Sequence, residues 1–241
     1  MKVCVLSNSH AAALRQGLDR LDRHARTALD VTFFASRSDG LKALAIDGQK
    51  LHCTDPEVLR DIQHTSGGSG EIDLAHYDVF IVHAMGFRYP YTSLAAPYSQ
   101  QFVTAWMRAR WQQTHSYRLT EMLRAAPRAA IVVSPQPYLS EGDDIARALV
   151  EQAILPAPTL EQAFTMDAWP ADGRVLFLPQ PATTVVRQVL TDQRYSRGSV
   201  RLEVGDRQSG KAHPSTDHQH MNAEYGLLVW RDLMVMLAEV R

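Results

Sequence analysis

Short apolar runs alternate along this chain with stretches whose apolar residues recur at helical spacing. The apolar runs are rich in Val, Ile and Phe and end in polar or proline-containing segments, which is typical of buried strands. They predict strands at residues 3–6, 31–35, 78–83, 129–133 and 175–178, with a further edge strand at 200–204.

The stretches with helical spacing predict amphipathic helices at 11–26, 99–126, 143–153 and 225–239. The region between the second and third strands has a weaker pattern. It predicts a hairpin around Asp47-Gly48 and a short helix after Asp55-Pro56. Because strands and helices alternate, we expect one α/β domain over 1–241. Its mostly parallel sheet would be covered by helices on both faces, as a three-layer α/β/α sandwich.

The composition is that of an ordinary globular protein without a nucleic-acid footprint. In 241 residues, Lys+Arg 25 against Asp+Glu 26 leave a net charge of −1. No apolar run is long enough to span a membrane, and the N-terminus shows no secretory signal pattern. These observations predict a cytoplasmic protein that binds neither nucleic acid nor membrane. Its partner would be a small molecule, and we expect no cofactor; the oligomeric state is not predicted.

Ligands of parallel α/β sheets bind beyond the carboxyl ends of the strands, so the polar residues there are candidates for chemistry. The first strand ends in Ser7-Asn8-Ser9-His10, and Asp217-x-x-His220 precedes the last helix. At this spacing the carboxylate can turn back to the imidazole and fix its tautomer, while a serine from another strand end supplies a nucleophile. Taken singly, Ser9 is equally a helix cap, His220 a surface histidine and Asp217 a cap of the last helix.

Together, Asn8-Ser9-His10-Ala11 at the first strand and Asp217-x-x-His220-Met221-Asn222 before the last helix resemble the SGNH (GDSL-type) hydrolase superfamily. The resemblance covers essentially the whole chain and implies a flavodoxin-like fold. It also implies Ser9 as nucleophile, His220 as general base and Asp217 as the carboxylate that orients it. An oxyanion hole would use the Ser9 backbone N–H and a glycine after the second strand, for which Gly40 is the candidate and Gly86 the alternative.

The sequence departs from the family pattern at two places. Ser7-Asn8 replaces the usual Gly-Asp, and the third strand ends in His83-Ala84-Met85-Gly86 where the family has Gly-x-Asn-Asp. Either one oxyanion donor is missing or another group, such as the His83 ring, replaces it. Removing one such donor typically lowers the rate by about 10²–10³. Residues near the motifs are candidates for substrate binding, namely His10, His83, Gly86 and Asn222.

Two other motifs are weaker. Residues 205–211 have the Gly-x₄-Gly-Lys spacing of a phosphate-binding loop, but Ala212 stands where Ser or Thr is required and Pro214 obstructs the following helix. His213, His218 and His220 cluster with Asp217, yet they lack the paired ligand spacing typical of zinc sites. We therefore predict neither a phosphate loop nor a metal site.

The sequence thus predicts a serine esterase that cleaves an O-acyl ester of a small or carbohydrate-like substrate through an acyl-enzyme at Ser9. Two alternatives stay open. One is an O-acyltransferase that moves an acetyl group to a sugar hydroxyl with the same residues. The other is a binding module that keeps the fold without the chemistry.

Overall fold

A computed structural model describes residues 1–88, 99–151 and 173–239. At its centre is a sheet of five parallel strands, namely β1 (Lys2–Ser7), β2 (Asp30–Ala35), β6 (Val79–Arg88), β7 (Ala130–Gln136) and β8 (Val175–Phe177). Across the sheet these strands lie in the order β2-β1-β6-β7-β8. The five strands predicted from apolar runs are therefore confirmed, and β6 is longer than predicted.

Two small antiparallel sheets lie outside the central one. The first joins β3 (Leu44–Asp47), β4 (Lys50–Cys53) and β5 (Glu71–Asp73), and it contains the hairpin predicted at Asp47-Gly48. The second pairs β9 (Val185–Val186) with β10 (Leu190–Thr191).

The helices of the described ranges flank the central sheet and its connections. They are α1 (Ala11–Asp19), α2 (Arg23–Thr27), α3 (Pro56–Ser66), α4 (Gln100–Gln112), α5 (His115–Leu123), α6 (Asp144–Glu151) and α7 (Ala223–Glu239). None of these described helices combines the length and apolarity needed to cross a membrane.

Two apolar clusters lie on opposite faces of the central sheet. On one face, Leu14 and Leu18 of α1 pack with Trp230 and Leu233 of α7. The other cluster contains residues of α3, α4 and α5, among them Ile62, Met107 and Leu119. Strand residues alternate between the two clusters, because successive side chains of a strand point to opposite faces. The predicted α/β/α sandwich with a mostly parallel sheet is confirmed.

Local capping explains where the helices differ from prediction. The helix predicted at 11–26 is two helices, because the Asp22 side chain accepts a hydrogen bond from Ala25 N–H and starts α2. The helix predicted at 99–126 is likewise divided, because the Thr114 hydroxyl accepts from Tyr117 N–H and starts α5. Residues 152–153, the end of the third predicted helix, lie outside the described residues.

The edge strand predicted at 200–204 is wrong. Only Val200 forms a bridge, to Ala212. The following turn is held by the Asp206 carboxylate, which pairs with Arg37 and accepts from Gln208 N–H. Residues 205–211, with the phosphate-loop spacing, form this turn.

Helices α1 and α7 cross at two glycines. A Cβ atom at Gly226 would lie 1.9 Å from the Ala13 carbonyl oxygen, and one at Gly17 would lie 2.2 Å from the Gly226 carbonyl carbon. The Trp230 indole N–H also donates to the Leu14 carbonyl over 2.7 Å. Because α1 follows Ser9 and α7 follows His220, this close crossing fixes the two motifs relative to each other.

Candidate active site

The Asn8 side chain shapes the turn that presents Ser9. Strand β1 ends at Ser7, which lies beside Ala35 of β2 and His83 of β6. The Asn8 side-chain oxygen accepts from His10 N–H over 3.1 Å, and its amide donates to the Ala84 carbonyl over 2.8 Å. These bonds tie the turn to β6 and leave Ser9 half-buried at the carboxyl edge of the sheet.

Ser9, His220 and Asp217 form a continuous hydrogen-bonded chain. The Ser9 Oγ lies 2.9 Å from His220 Nε2. On the other side of the ring, His220 Nδ1 lies 2.9 Å from Asp217 Oδ2. The structure thus brings Ser9 to two residues that lie more than 200 positions further along the sequence, and these are the three residues that the family resemblance groups together.

Hydrogen bonding keeps Asp217 ionised. Burial raises the pKa of this carboxyl, but hydrogen bonds from the His220 backbone and ring and from Gln219 N–H outweigh it and hold the pKa at about 2. An ionised carboxylate only accepts, so His220 Nδ1 must carry the proton that faces it. In the neutral ring Nε2 is then unprotonated and can accept the Ser9 hydroxyl proton, as a general base requires.

A second histidine, His213, lies beside the same carboxylate. His213 Nδ1 lies 2.9 Å from Asp217 Oδ2, and its ring stacks on that of His220 with centroids 4.1 Å apart and planes 11° from parallel. Burial and the proximity of His220 lower the pKa of His213, so it is neutral near pH 7. His213 was not predicted to lie beside the nucleophile. Its spacing four residues before Asp217 is the signal that could have placed it there.

The stacked rings argue against a metal ion at this cluster. His213, Asp217 and His220 are the one group in the described ranges with ligand atoms close enough for an ion, all within 4.8 Å. A metal lies in the plane of each imidazole that binds it, about 2 Å from the nitrogen. Two near-parallel rings 4.1 Å apart cannot both satisfy this condition for one ion. His218, the other histidine of the predicted cluster, is not part of this group.

Two further histidines, His10 and His83, line the interior side of the site. The His10 ring stacks near His220, with centroids 5.1 Å apart, and meets the His83 ring edge-on at 6.3 Å. Both side chains are buried, and neither Nδ1 has a hydrogen-bond partner among the described residues. Burial lowers the pKa of His83 to about 4, and burial together with His220, His83 and Arg88 lowers the pKa of His10. Both rings are therefore neutral near pH 7.

One predicted oxyanion donor is free and the other is engaged. The Ser9 backbone N–H has no acceptor among the described residues and lies just before α1. The Gly40 N–H donates to the Arg37 carbonyl over 3.3 Å. A Cβ at Gly40 would lie 2.3 Å from Ser36 Oγ, so this glycine serves a close approach within the turn. The Gly40 N–H predicted to bind the oxyanion is thus already hydrogen-bonded within the turn.

Asn222 differs from its predicted role in substrate binding. Its side-chain amide donates to the carbonyls of Arg194 and Arg197, and its oxygen accepts from the N–H groups of Glu224 and Tyr225. These four bonds use all the hydrogen-bonding capacity of the side chain. Asn222 caps α7 and has no group left for a substrate.

Gly86 lies in a cavity beyond the irregular end of β6. The pairing of β6 with β7 shifts between His83 and Arg88, and both Ala84 (φ 58°) and Gly86 (φ 75°) have left-handed backbones. The cavity has a volume of about 430 Å³. It is lined by Asp39, Lys42, Gly86, Arg88, Arg110, Gln113, Thr114 and His115.

No protein-family model and no curated protein match this chain. Among solved structures, it is similar to a family two carbohydrate esterase from Clostridium thermocellum in complex with cellohexaose. The identity is 14% and the TM-score 0.43, over 99% of this chain and 63% of that one. It is also similar to a Clostridium thermocellum family 3 carbohydrate esterase, at 9% identity and a TM-score of 0.43, over 100% of this chain and 97% of that one.

A third similar structure is the lipopolysaccharide acetyltransferase periplasmic domain of Salmonella ser. Paratyphi A. The identity is 10% and the TM-score 0.43, over 98% of this chain and 83% of that one. This chain spans less than two-thirds of the length of the family two esterase. With TM-scores below 0.5 these similarities carry no functional argument, and any assignment depends on the geometry of the site.

Proposed function

We propose that this protein is a serine ester hydrolase that acts through an acyl-enzyme at Ser9. One observation carries the proposal: Ser9 Oγ lies 2.9 Å from His220 Nε2, while His220 Nδ1 lies 2.9 Å from Asp217. A serine that serves only as a helix cap has no need of an oriented imidazole. The imidazole in turn has its tautomer fixed by a carboxylate whose pKa is held at about 2.

In the proposed reaction, Ser9 Oγ attacks the acyl carbonyl carbon while its proton passes to His220 Nε2. The tetrahedral intermediate collapses, the ester C–O bond breaks, and the His220 proton goes to the leaving alcohol. Water then attacks the acyl-serine with His220 again as base, which releases the carboxylic acid and free Ser9. Asp217 stays ionised throughout and stabilises the imidazolium form of His220.

The developing oxyanion needs donors at the end of β1. The free Ser9 N–H supports this role, and the N-terminal end of α1 adds a favourable dipole. Because the Gly40 amide is engaged and no asparagine follows β6, the ring of His10 is the best-placed replacement donor. It is neutral and buried, and it lies directly after Ser9 and next to His220.

The surroundings favour a hydrophilic substrate over a lipid. The cavity near the site is lined by side chains that form hydrogen bonds, including Asp39, Gln113 and Thr114, rather than by an apolar wall. We therefore propose an O-acyl ester of a carbohydrate-like alcohol. Release of the acyl group to water makes the protein an esterase.

Labelling with a fluorophosphonate, together with hydrolysis of p-nitrophenyl acetate, tests this function. We expect stoichiometric labelling of Ser9 in the wild type and none in Ser9→Ala. Ser7→Ala is the matched control, because Ser7 is buried in the same motif and its Oγ has no hydrogen-bond partner in the part of the chain that the structure describes. Equal absence of label and hydrolysis in wild type and Ser9→Ala contradicts the proposal. Acetyl-enzyme that turns over only after a sugar acceptor is added identifies acyl transfer instead, with Ser9 in the same role.

A further inference from the structure

The cavity beyond β6 carries an excess of positive charge. Three cations, Lys42, Arg88 and Arg110, line it together with one carboxylate, Asp39, which already pairs with Lys42. His115 adds no charge near neutral pH, because burial lowers its pKa to about 4. The whole chain carries a formal net charge of −1, so this concentration of cations is local.

Both arginines are exposed, and each has a contact that orients its guanidinium. The Arg88 Nε donates over 2.8 Å to the side-chain oxygen of Gln136, which is itself 6% exposed. The Arg110 guanidinium lies over the Trp106 ring, 5.1 Å from its centroid. A guanidinium that is held in this way loses less freedom on binding and leaves its remaining N–H groups for a planar anion.

Gly86 lines the cavity together with these cations. Its φ of 75° disfavours any other residue, and a Cβ there would meet nothing closer than 3.7 Å, at the His115 backbone nitrogen. At this position the cavity is therefore lined by backbone rather than by a side chain.

The cavity lies close to the strand end that carries the nucleophile. The amide of Asn8, the residue before Ser9, donates to the Ala84 carbonyl, and Gly86 lies two residues further along β6. Two residues span at most about 7 Å of chain. Arg88 of the cavity is also near enough to His10, the residue after Ser9, to help lower the pKa of that ring.

From this arrangement we infer that the cavity binds an anionic group of the substrate, so that the alcohol of the cleaved ester is an acidic saccharide that carries a carboxylate or a phosphate. Arg88 and Arg110 bind the anion, with Lys42 adding its charge at the rim. The inference rests on the proposed function and narrows its substrate class. It distinguishes this site from one built for neutral sugars, for which three clustered cations offer no advantage.

Substrate selectivity tests the inference. An O-acetylated galacturonate oligosaccharide is compared with an O-acetylated xylo-oligosaccharide of equal length, and with an O-acetylated hexose phosphate. We expect wild type to prefer the anionic substrates, and the ratio of kcat/KM values to fall about tenfold in Arg88→Gln and in Arg110→Gln. Arg231→Gln makes the same charge change on the exposed side of α7 and should keep the wild-type ratio. The anionic substrate with the higher kcat/KM shows whether the cavity prefers a carboxylate or a phosphate. An anionic-to-neutral ratio near one in wild type overturns the inference.

Direct binding separates this inference from the proposed function. The Ser9→Ala variant is titrated by calorimetry with the acidic and the neutral oligosaccharide, so catalysis plays no part. We expect measurable affinity only for the acidic one, weaker at high salt and weaker still when Arg88→Gln is added. Labelling of wild-type Ser9 without this preference leaves the esterase proposal standing and refutes the anion site. Acidic binding without Ser9 labelling supports the anion site and refutes the esterase.

Discussion

The rings of His213 and His220 are stacked 4.1 Å apart, and the Nδ1 atoms of both lie 2.9 Å from the same oxygen of Asp217. A ring N–H points along the plane of its own ring, so one oxygen cannot accept in-plane bonds from two stacked, near-parallel rings. Asp217 accepts its ring hydrogen bond from His220. His213 packs against the His220 ring as a neutral neighbour, because burial and the proximity of His220 lower its pKa.

Replacing His213 should show whether its stacked ring positions His220. His213→Phe keeps an aromatic ring against His220, so its kcat on p-nitrophenyl acetate should stay close to that of wild type.

His213→Ala removes the stacked ring. Because Asp217 then holds His220 alone, we expect a lower kcat with little change in KM, and circular dichroism checks the fold. Equal kcat values in the two variants would show that the stacked ring does not position His220.

Asp217→Asn should reduce kcat far more than it raises KM. The amide can donate to His220 Nδ1 and favour the wrong tautomer, with the proton on Nε2 facing Ser9. In other Ser-His-Asp enzymes this change lowers kcat by about 10⁴. Steady-state rates on p-nitrophenyl acetate give the effect, and circular dichroism checks the fold. A loss below about tenfold would mean that Asp217 does not orient the base.

Buried neutral histidines should make the protein less stable in mild acid. The pKa of His83 is about 4 in the folded protein and about 6.5 in the unfolded chain, so between these values the unfolded chain binds more protons. The contribution of His83 is complete above about pH 6.5 and is lost as the pH falls toward 4, at up to about 1.4 kcal/mol per pH unit. The pKa of His115, also about 4, adds a loss over the same pH range.

Urea unfolding at about pH 7, 6 and 5 measures this slope. In His83→Phe, the free energy of unfolding should depend less on pH, and the contribution of His115 to this dependence should remain. An unchanged slope in the variant would show that His83 does not cause the acid sensitivity.

Much of this fold was predictable because its strands are continuous apolar runs that end in polar residues. The same pattern placed Ser9 after β1, and the Asp217-x-x-His220 spacing could be interpreted through the geometry of an imidazole beside a carboxylate. Predictions of a single long helix failed where one polar side chain, Asp22 or Thr114, caps a new helix. Such a cap depends on the local backbone more than on hydrophobic periodicity.

The finer parts of the site depended on three-dimensional contacts that spacing does not reveal. Gly40 matched the expected place of an oxyanion donor, but its N–H is used by the turn from Arg37. Asn222 followed the motif, but its side chain caps α7 completely. His213 was visible as part of a histidine cluster, yet only the structure shows that its ring stacks on that of His220.

Gly226→Ala should destabilise the protein although alanine favours helices. On an exposed helix surface this substitution gains up to about 1 kcal/mol. Here the new Cβ would lie 1.9 Å from the Ala13 carbonyl oxygen and 2.5 Å from its carbon, and neither is part of a flexible side chain. Helices α1 and α7 must move apart, and overpacking of this kind costs about 1–3 kcal/mol.

Urea unfolding should therefore show a lower free energy of unfolding for Gly226→Ala. Val235→Ala, at a 61% exposed position on the same helix, is the control and should change it little. Because the crossing also holds Ser9 near His220, the folded fraction of Gly226→Ala should react more slowly with a fluorophosphonate. Full stability in Gly226→Ala would show that the helices do not cross this closely. If Gly226→Ala loses stability but is labelled at the wild-type rate, the crossing stabilises the fold without aligning Ser9 and His220.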